Sequence, residues 1–328
     1  MTVERIEFEG KKATGVTFSL KGKSVTVKAN REVILSAGAL NSPQIMLRSG
    51  VGPADEIKPH GLDVVHELAG VGRNLQDHYG VVSQFECTQP VTLHRSAAWW
   101  RTQLAGVQYL LFGKGDASFP PTAAGAFFKS SDEKAVCDMQ IHYVSVAVPD
   151  VHGRSDIPTS HGFSSIVYGC RPESRGHLGL KSASPDDAPA IFPNYLTVEQ
   201  DAIDIRNGFR KTRDIFLQKA FDPYRGEQMK PSPDVNVDSD DELDAWIRAT
   251  GETLYHPVGT CKMGSDKKAV TNEHGQVHGL EGLRVVDASL MPTLISGNTN
   301  APTIMIAEKI SDHIRERTFL EPQQIAAE

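Results

Sequence analysis

The chain has 328 residues, enough for one large or two ordinary domains, and its 39% apolar and 23% charged residues sit near the averages for globular proteins, which excludes disorder as the default. Its 34 basic residues against 41 acidic give a net charge of −7, and they are scattered rather than gathered into a stripe, which excludes a nucleic-acid footprint. No apolar run reaches the length of a membrane span, and the opening MTVERIEFEGKK carries charges where a signal peptide needs an apolar stretch. The expected location is cytoplasmic, at most peripheral at a membrane.

In chain order, residues 3 to 35 read as strands: VERIEFEG, KATGVTFSL, a Lys-Gly turn, SVTVKA, and the buried run Val33-Ile34-Leu35. That run ends in Ser36-Ala37-Gly38-Ala39, where small residues let backbone or ligand come close. A helix through Ser42 to Leu47 follows, with Pro43 expected in its first turn and Gly50 as its stop. Strand, small-residue turn and helix together form a dinucleotide-fold element. From about Gly80 the pattern changes to VVSQFEC, DMQIHYVSV, FSSIVYGC and HLGLKSA, expected as antiparallel strands, with one helix around Ala97 to Phe112. Helices are predicted over Val198 to Lys219 and over Asp240 to Thr253, the second N-capped by Ser239. A short buried strand covers Leu283 to Asp287. A last helix from about Pro302 to Arg317 is expected to bury Ile304, Ile306, Ala307, Ile310 and Ile314, and EPQQIAAE beyond it reads as a frayed tail.

Cys87, Cys137, Cys170 and Cys261 lack any CxxC spacing and read as buried thiols. His274 and His278 form H-x3-H on a Gly-rich loop rather than a helix, so no metal is expected. No G-x-S-x-G is present, which weighs against a hydrolase. Trp99, Trp100 and Phe112 read as core or lid packing.

Four segments combine glycine, proline and polar residues in ways a plain core does not need: residues 36–43 (SAGALNSP), 70–78 (GVGRNLQDH), 256–260 (HPVGT) and 296–303 (SGNTNAPT). With SAGALNSPQIMLRSGVG, HPVGTCKMG and VVDASLMPTLISGNTNAPTIMIAEK, the sequence resembles the C-terminal part of the glucose–methanol–choline (GMC) oxidoreductases over nearly its whole length. That family's diphosphate-binding G-x-G-x-x-G is absent: GVGRNL lacks the third small residue and follows no strand. The opening of this chain resembles the middle of a family member, so a fragment is expected.

The resemblance implies an α/β (α+β overall) fold. Residues 1–80 and 254–328 would complete a partial FAD-binding Rossmann-like domain, and 81–253 would form a substrate domain of antiparallel sheet with helices. It implies FAD as cofactor and oxidation of a primary alcohol to an aldehyde, with hydride transfer to flavin N5 and a quinone or oxygen as electron acceptor. Aliphatic alcohols rank first as substrate and choline second.

Losing a hydride is easier for an alcohol whose hydroxyl proton leaves to a base, and a histidine at neutral pH suits that role. His256, in the segment similar to the family's catalytic-base segment, is the expected base. Asn298, whose amide can hydrogen-bond the substrate oxygen, is its expected partner. Asn300 is a rival by residue type, and the family pattern favours Asn298. The resemblance further implies that Ala37, Gly38 and Ala39 lie near the adenosine half of the cofactor and that Asp287 and Ala288 lie near its ribityl and diphosphate. Asn298, Thr299 and Asn300 would then lead a helix whose positive end faces the flavin pyrimidine ring. Two other readings stay open: a flavin-retaining enzyme similar to the hydroxynitrile lyases, and a non-catalytic fragment needing the missing segment from a partner.

Overall fold

A computed structural model of the chain describes residues 1–96, 98–118, 120, 122–148 and 160–317. The expected tail at 321–328 and the Ala97 start of the second predicted helix lie outside them. The chain divides into two units. One comprises Met1–Asp77, Arg175–Asn194 and the chain from His256 on; the other comprises His78–Ser174 and Tyr195–Tyr255. Residues 175–194, read from sequence as part of an unbroken 81–253 segment, thus join the first unit.

Alternation of apolar and polar residues makes an antiparallel meander of β1 (Thr2–Glu9), β2 (Lys12–Leu20) and β3 (Lys23–Lys28) at the start of the first unit. β1 bulges between Val3 and Arg5, and there the buried Arg48 guanidinium donates to the carbonyls of Val3 and Glu4. β4 (Val33–Leu35) leads into α1 (Gly38–Arg48), which begins four residues before the predicted start. Its early start has a cause in the chain far away. The buried Asp287 carboxylate accepts the Gly38 N–H at 3.0 Å and the Ser42 hydroxyl at 2.5 Å, and Ser42 Oγ in turn accepts the Ala37 N–H. Pro43 therefore stands in the second turn, where its missing N–H leaves the Ala39 carbonyl without its helical donor. The buried Thr260 hydroxyl fills that place at 2.5 Å.

The second unit is built on a mixed-length antiparallel sheet, six-stranded among the described residues. Its strands include β5 (Tyr79–Cys87), β6 (Thr122–Phe128), β7 (Met139–Val144) and β8 (Gly162–Gly169). Between β5 and β6 runs α2 (Trp99–Phe112), which buries none of its residues; Trp99, Leu104, Leu110 and Phe112 are exposed, so of the core or lid packing expected for Trp99, Trp100 and Phe112 the core alternative is not what the structure has. α3 (Glu199–Phe216) covers the sheet through Ile205 and Phe209, and Gly208 lets it approach: a Cβ there would stand 2.3 Å from the Met139 methyl. β9 (Arg225–Lys230) completes the order β9-β5-β8-β7-β6, with Glu252–Thr253 also pairing to β5. α4 (Asp240–Thr250) follows, its Ser239 N-cap accepting the Glu242 N–H as predicted.

The fourth predicted strand, HLGLKSA, does not join that sheet. His177–Gly179 pairs with Ala190–Phe192 as a separate hairpin in the first unit, and Leu178 enters that unit's core with Met46, Leu47 and Val285. There β10 (Leu283–Val285) lies parallel to β4, with Val285 opposite Leu35. α5 (Asn300–Ile314) begins two residues before the predicted start. It buries Ile310 and packs Ile306 and Ile314 on the core, but Ile304 is 54% exposed, contrary to expectation. α5 thus turns a narrower apolar stripe to the core than its sequence offers. The class is mixed α/β, as expected.

Three cysteines are buried, as expected, whereas Cys137 is exposed. Burial pushes the Cys170 thiol up to about 12 and the fully buried Cys261 thiol up as well, so neither supplies thiolate at neutral pH. A thiol-reactive chromophore should therefore label one cysteine rapidly in the folded chain, and Cys137→Ser should abolish that phase. More than one fast thiol would contradict this burial pattern.

The Asp287 latch gives a second expectation. Asp287→Asn removes the charge from three hydrogen bonds in a buried site and should lower unfolding free energy by about 1.5–3 kcal/mol, against about 1 kcal/mol for Ser42→Ala. Urea unfolding monitored by circular dichroism measures both, and an unchanged midpoint for Asp287→Asn would show that the latch carries no stability.

Candidate active site

The segment from His256 to Met263 is fixed on two sides. On one side, Gln76 and Val258 exchange backbone hydrogen bonds at 3.1 and 2.9 Å, and the Asp77 carboxylate accepts the His256 N–H at 2.9 Å. On the other, Cys261 N–H reaches Ser289 O at 3.0 Å and Met263 N–H reaches Leu290 O at 2.8 Å. Gly259 turns between them at φ +91, where a Cβ would stand 2.6 Å from the Asn74 carbonyl oxygen, so only glycine passes. The imidazole of His256 is half-buried and leaves this clamped backbone beside an exposed Tyr255.

The loop from Pro292 to Thr299, between β10 and α5, carries Asn298 on its surface. Its amide nitrogen lies 3.3 Å from His256 Nε2. With the amide as donor, Nε2 is the acceptor, so the neutral ring carries its proton on Nδ1 and presents a lone pair at Nε2. The structure therefore brings together the two residues expected to meet substrate. Asn300, the rival, is the exposed first residue of α5.

The residues expected near the cofactor divide by environment. Ala37 is exposed and Gly38 half-buried at the carboxyl end of β4, with no atom within 4 Å of where a Gly38 Cβ would stand. Ala39 is buried, and its carbonyl is taken by Thr260. Asp287 is also buried: Oδ2 is engaged by Gly38 and Ser42, and Oδ1 accepts the Ser289 N–H. Its carboxylate thus works inside the protein. Ala288 and Thr299 are half-buried, and Thr299 gives its carbonyl to the Thr303 N–H and hydroxyl in the first turn of α5.

Sequence reasoning singled out 70–78 without giving it a task, and it missed Asn74, Gln76, Asp77 and Thr260 as supports of this site. The signal was polar side chains crowded beside glycines. Elsewhere, His278 Nε2 meets the Gly264 carbonyl, while the His274 ring stacks on His313 at 3.7 Å, so the H-x3-H pair does not converge. No cluster of three or more His, Cys, Asp or Glu suited to a metal exists among the described residues, and none of their helices is long and apolar enough to cross a membrane.

Comparison with known proteins fits this arrangement. The oxygen-dependent choline dehydrogenase 1 of Chromohalobacter salexigens is 45% identical over 326 residues, 99% of this chain and 58% of that protein. The oxygen-dependent choline dehydrogenase of Cronobacter sakazakii is 47% identical over 322 residues, 97% of this chain and 57% of that protein. The chain thus spans a little over half the length of the curated relatives it matches. Among solved structures, pyridoxine 4-oxidase from Mesorbium loti superposes with a TM-score of 0.80 at 25% identity, covering 97% of this chain and 57% of that one. Formate oxidase, at 23% identity, shares the fold with a TM-score of 0.86, covering 96% and 60%. Family models described as GMC oxidoreductase match residues 1–80 and 172–307, and the chain belongs to the GMC oxidoreductase family.

Proposed function

We propose that this chain carries the proton-accepting part of an FAD-dependent enzyme that oxidises a primary alcohol to an aldehyde. The observation that carries this reading is the approach of Asn298 Nδ2 to His256 Nε2, 3.3 Å apart at the surface of one unit. The 45–47% identical relatives, oxygen-dependent choline dehydrogenases, favour choline over the simpler aliphatic alcohols that the sequence ranked first, and oxygen over a quinone as acceptor.

The residues fit a dinucleotide. Open α/β sheets take ligands outside the carboxyl ends of parallel strands, and there β4 and β10 end side by side, followed by exposed Ala37 and unobstructed Gly38. Ala37 and Gly38 would hold the adenosine half, and the Ala288 backbone would lie toward the ribityl chain. The first turn of α5, with Asn300 and Ala301 exposed and no capping side chain, offers N–H donors to an electron-rich ring edge. Ala39 and the Asp287 carboxylate support this surface from beneath. FAD, when bound, supplies the acceptor for the hydride that leaves the alcohol carbon.

An alcohol oxygen placed about 3 Å from both side-chain nitrogens can donate its hydroxyl proton to His256 Nε2 while accepting a hydrogen bond from Asn298. As the O–H bond breaks, charge grows on that oxygen, and the amide stabilises it without competing for the proton. Asp77 holds the His256 backbone, so the ring's reach is set before substrate arrives.

In a full-length, FAD-loaded protein that joins this chain to a diphosphate-binding glycine-rich segment, His256→Ala should slow flavin bleaching by a primary alcohol by about 10²–10⁴-fold, the usual cost of losing a general base. Flavin content should stay unchanged. Asn298→Ala should slow bleaching less, since water can replace part of one hydrogen bond. Rapid mixing, normalised to bound flavin, makes the measurement. Bleaching by His256→Ala within about threefold of the parent, under 1 kcal/mol, removes the ring from the mechanism. Loaded parent protein that choline and aliphatic alcohols fail to bleach would instead favour the lyase reading.

A further inference from the structure

The loops that carry His256 and Asn298 meet in a small apolar cluster of Val258, Met291 and Leu294, and a third stretch of chain ties them together by hydrogen bonds. The two loops belong to different stretches of chain, and buried polar groups of the third stretch reach both. Gln76 is 2% exposed, and its polar groups bridge both loops. Its backbone N–H donates to the Val258 carbonyl at 3.1 Å and its carbonyl accepts the Val258 N–H at 2.9 Å, two residues from His256. Its side-chain Nε2 donates to the Pro292 carbonyl at 3.2 Å, and its Oε1 accepts the Leu294 N–H at 3.1 Å, four residues from Asn298. The second amide hydrogen turns to the Asn74 carbonyl at 3.4 Å. Asn74 repeats the bridge one step away, its Nδ2 lying 3.2 Å from both the Gly259 and Pro292 carbonyls.

We propose that Gln76 is the positioning residue that fixes the distance between the His256 ring and the Asn298 amide. Its backbone sets the height of the His256 segment and its carboxamide sets that of the Asn298 loop, so one buried residue converts two loop positions into one rigid distance. A carboxamide suits the task because it presents a donor and an acceptor in a single plane to a carbonyl and an N–H two residues apart. Neither a hydrocarbon nor a carboxylate of the same length can do both. The inference rests on the reading of His256 and Asn298 as the substrate-facing pair, but its geometry is measurable without flavin or turnover.

The test is nuclear magnetic resonance of the whole chain with labelled histidine and asparagine, the His256 signals being assigned by their loss in His256→Ala. In the parent, His256 should show an acceptor Nε2 and a cross-relaxation peak to the Asn298 side-chain amide. Gln76→Met keeps the length and removes the hydrogen bonds. It should keep the circular dichroism and the signals of residues 78–174 while the His256–Asn298 peak is lost and the ring nitrogen shifts move. Gln76→Glu, which keeps an acceptor for Leu294 but offers no donor to Pro292, should weaken the peak in a folded chain. A folded Gln76→Met chain with the peak and shifts of the parent overturns the proposal. So does failure of both variants to fold, which would make Gln76 a general structural residue. If Gln76→Met displaces the ring while His256→Ala leaves bleaching intact, the positioning role stands and the proton-acceptor reading falls.

Discussion

The Asp287 carboxylate binds together parts of the first unit that the sequence separates by almost its whole length. Its partner Ser42 lies 245 residues away, and the carboxylate ends both the open N-terminus of α1 and the turn after β10. A charged acceptor shared by three donors in a buried place is stronger than the same bonds to neutral groups and costly to leave incomplete. It stands where β4 pairs in parallel with β10 and where exposed Ala37 and half-buried Gly38 follow β4. The acidic residue at this position thus acts inside the first unit, through Gly38, Ser42 and Ser289.

The same division of labour recurs at the candidate active site. His256 and Asn298 face outward, while Asn74, Gln76 and Asp77 stand behind them and contact chiefly backbone. Such supports let a surface pair keep a fixed geometry without tertiary packing of their own side chains. The candidate pair thus stands on loops, and its supports lie in a short buried segment.

Much of this was legible in the sequence where a residue's role is local. The alternation of β1 to β3, the Ser239 cap and the helical spacing of α3 all depend on near neighbours, and the structure has them as expected. What escaped depends on distant partners. The start of α1 is set by Asp287, which no local rule connects to Gly38. His177–Gly179 has the alternation of a sheet strand but pairs in a separate hairpin, because strand pattern specifies a face and not a partner. Ile304 fits an apolar helical stripe, yet a stripe shows only which residues can be buried: α5 buries Ile310 as expected and leaves Ile304 exposed. At the candidate active site, residue type pointed to His256 and left Asn298 and Asn300 as rivals, the family resemblance favoured Asn298, and the structure has Asn298 3.3 Å from the ring. The glutamine behind them was not legible, since a buried carboxamide bridging two loops leaves no periodic trace.

Thr260 and Pro43 leave a mark on how the chain can drift. The proline withholds a donor from the Ala39 carbonyl, and a hydroxyl from the far end of the sequence replaces it. Each residue therefore makes sense only in the presence of the other. A threonine replaced alone strands a buried carbonyl, whereas a proline replaced first restores the helical donor and releases position 260 to become apolar. Among related sequences the two positions should change in that order, proline first, and a chain with an apolar residue at 260 should have lost the proline at 43.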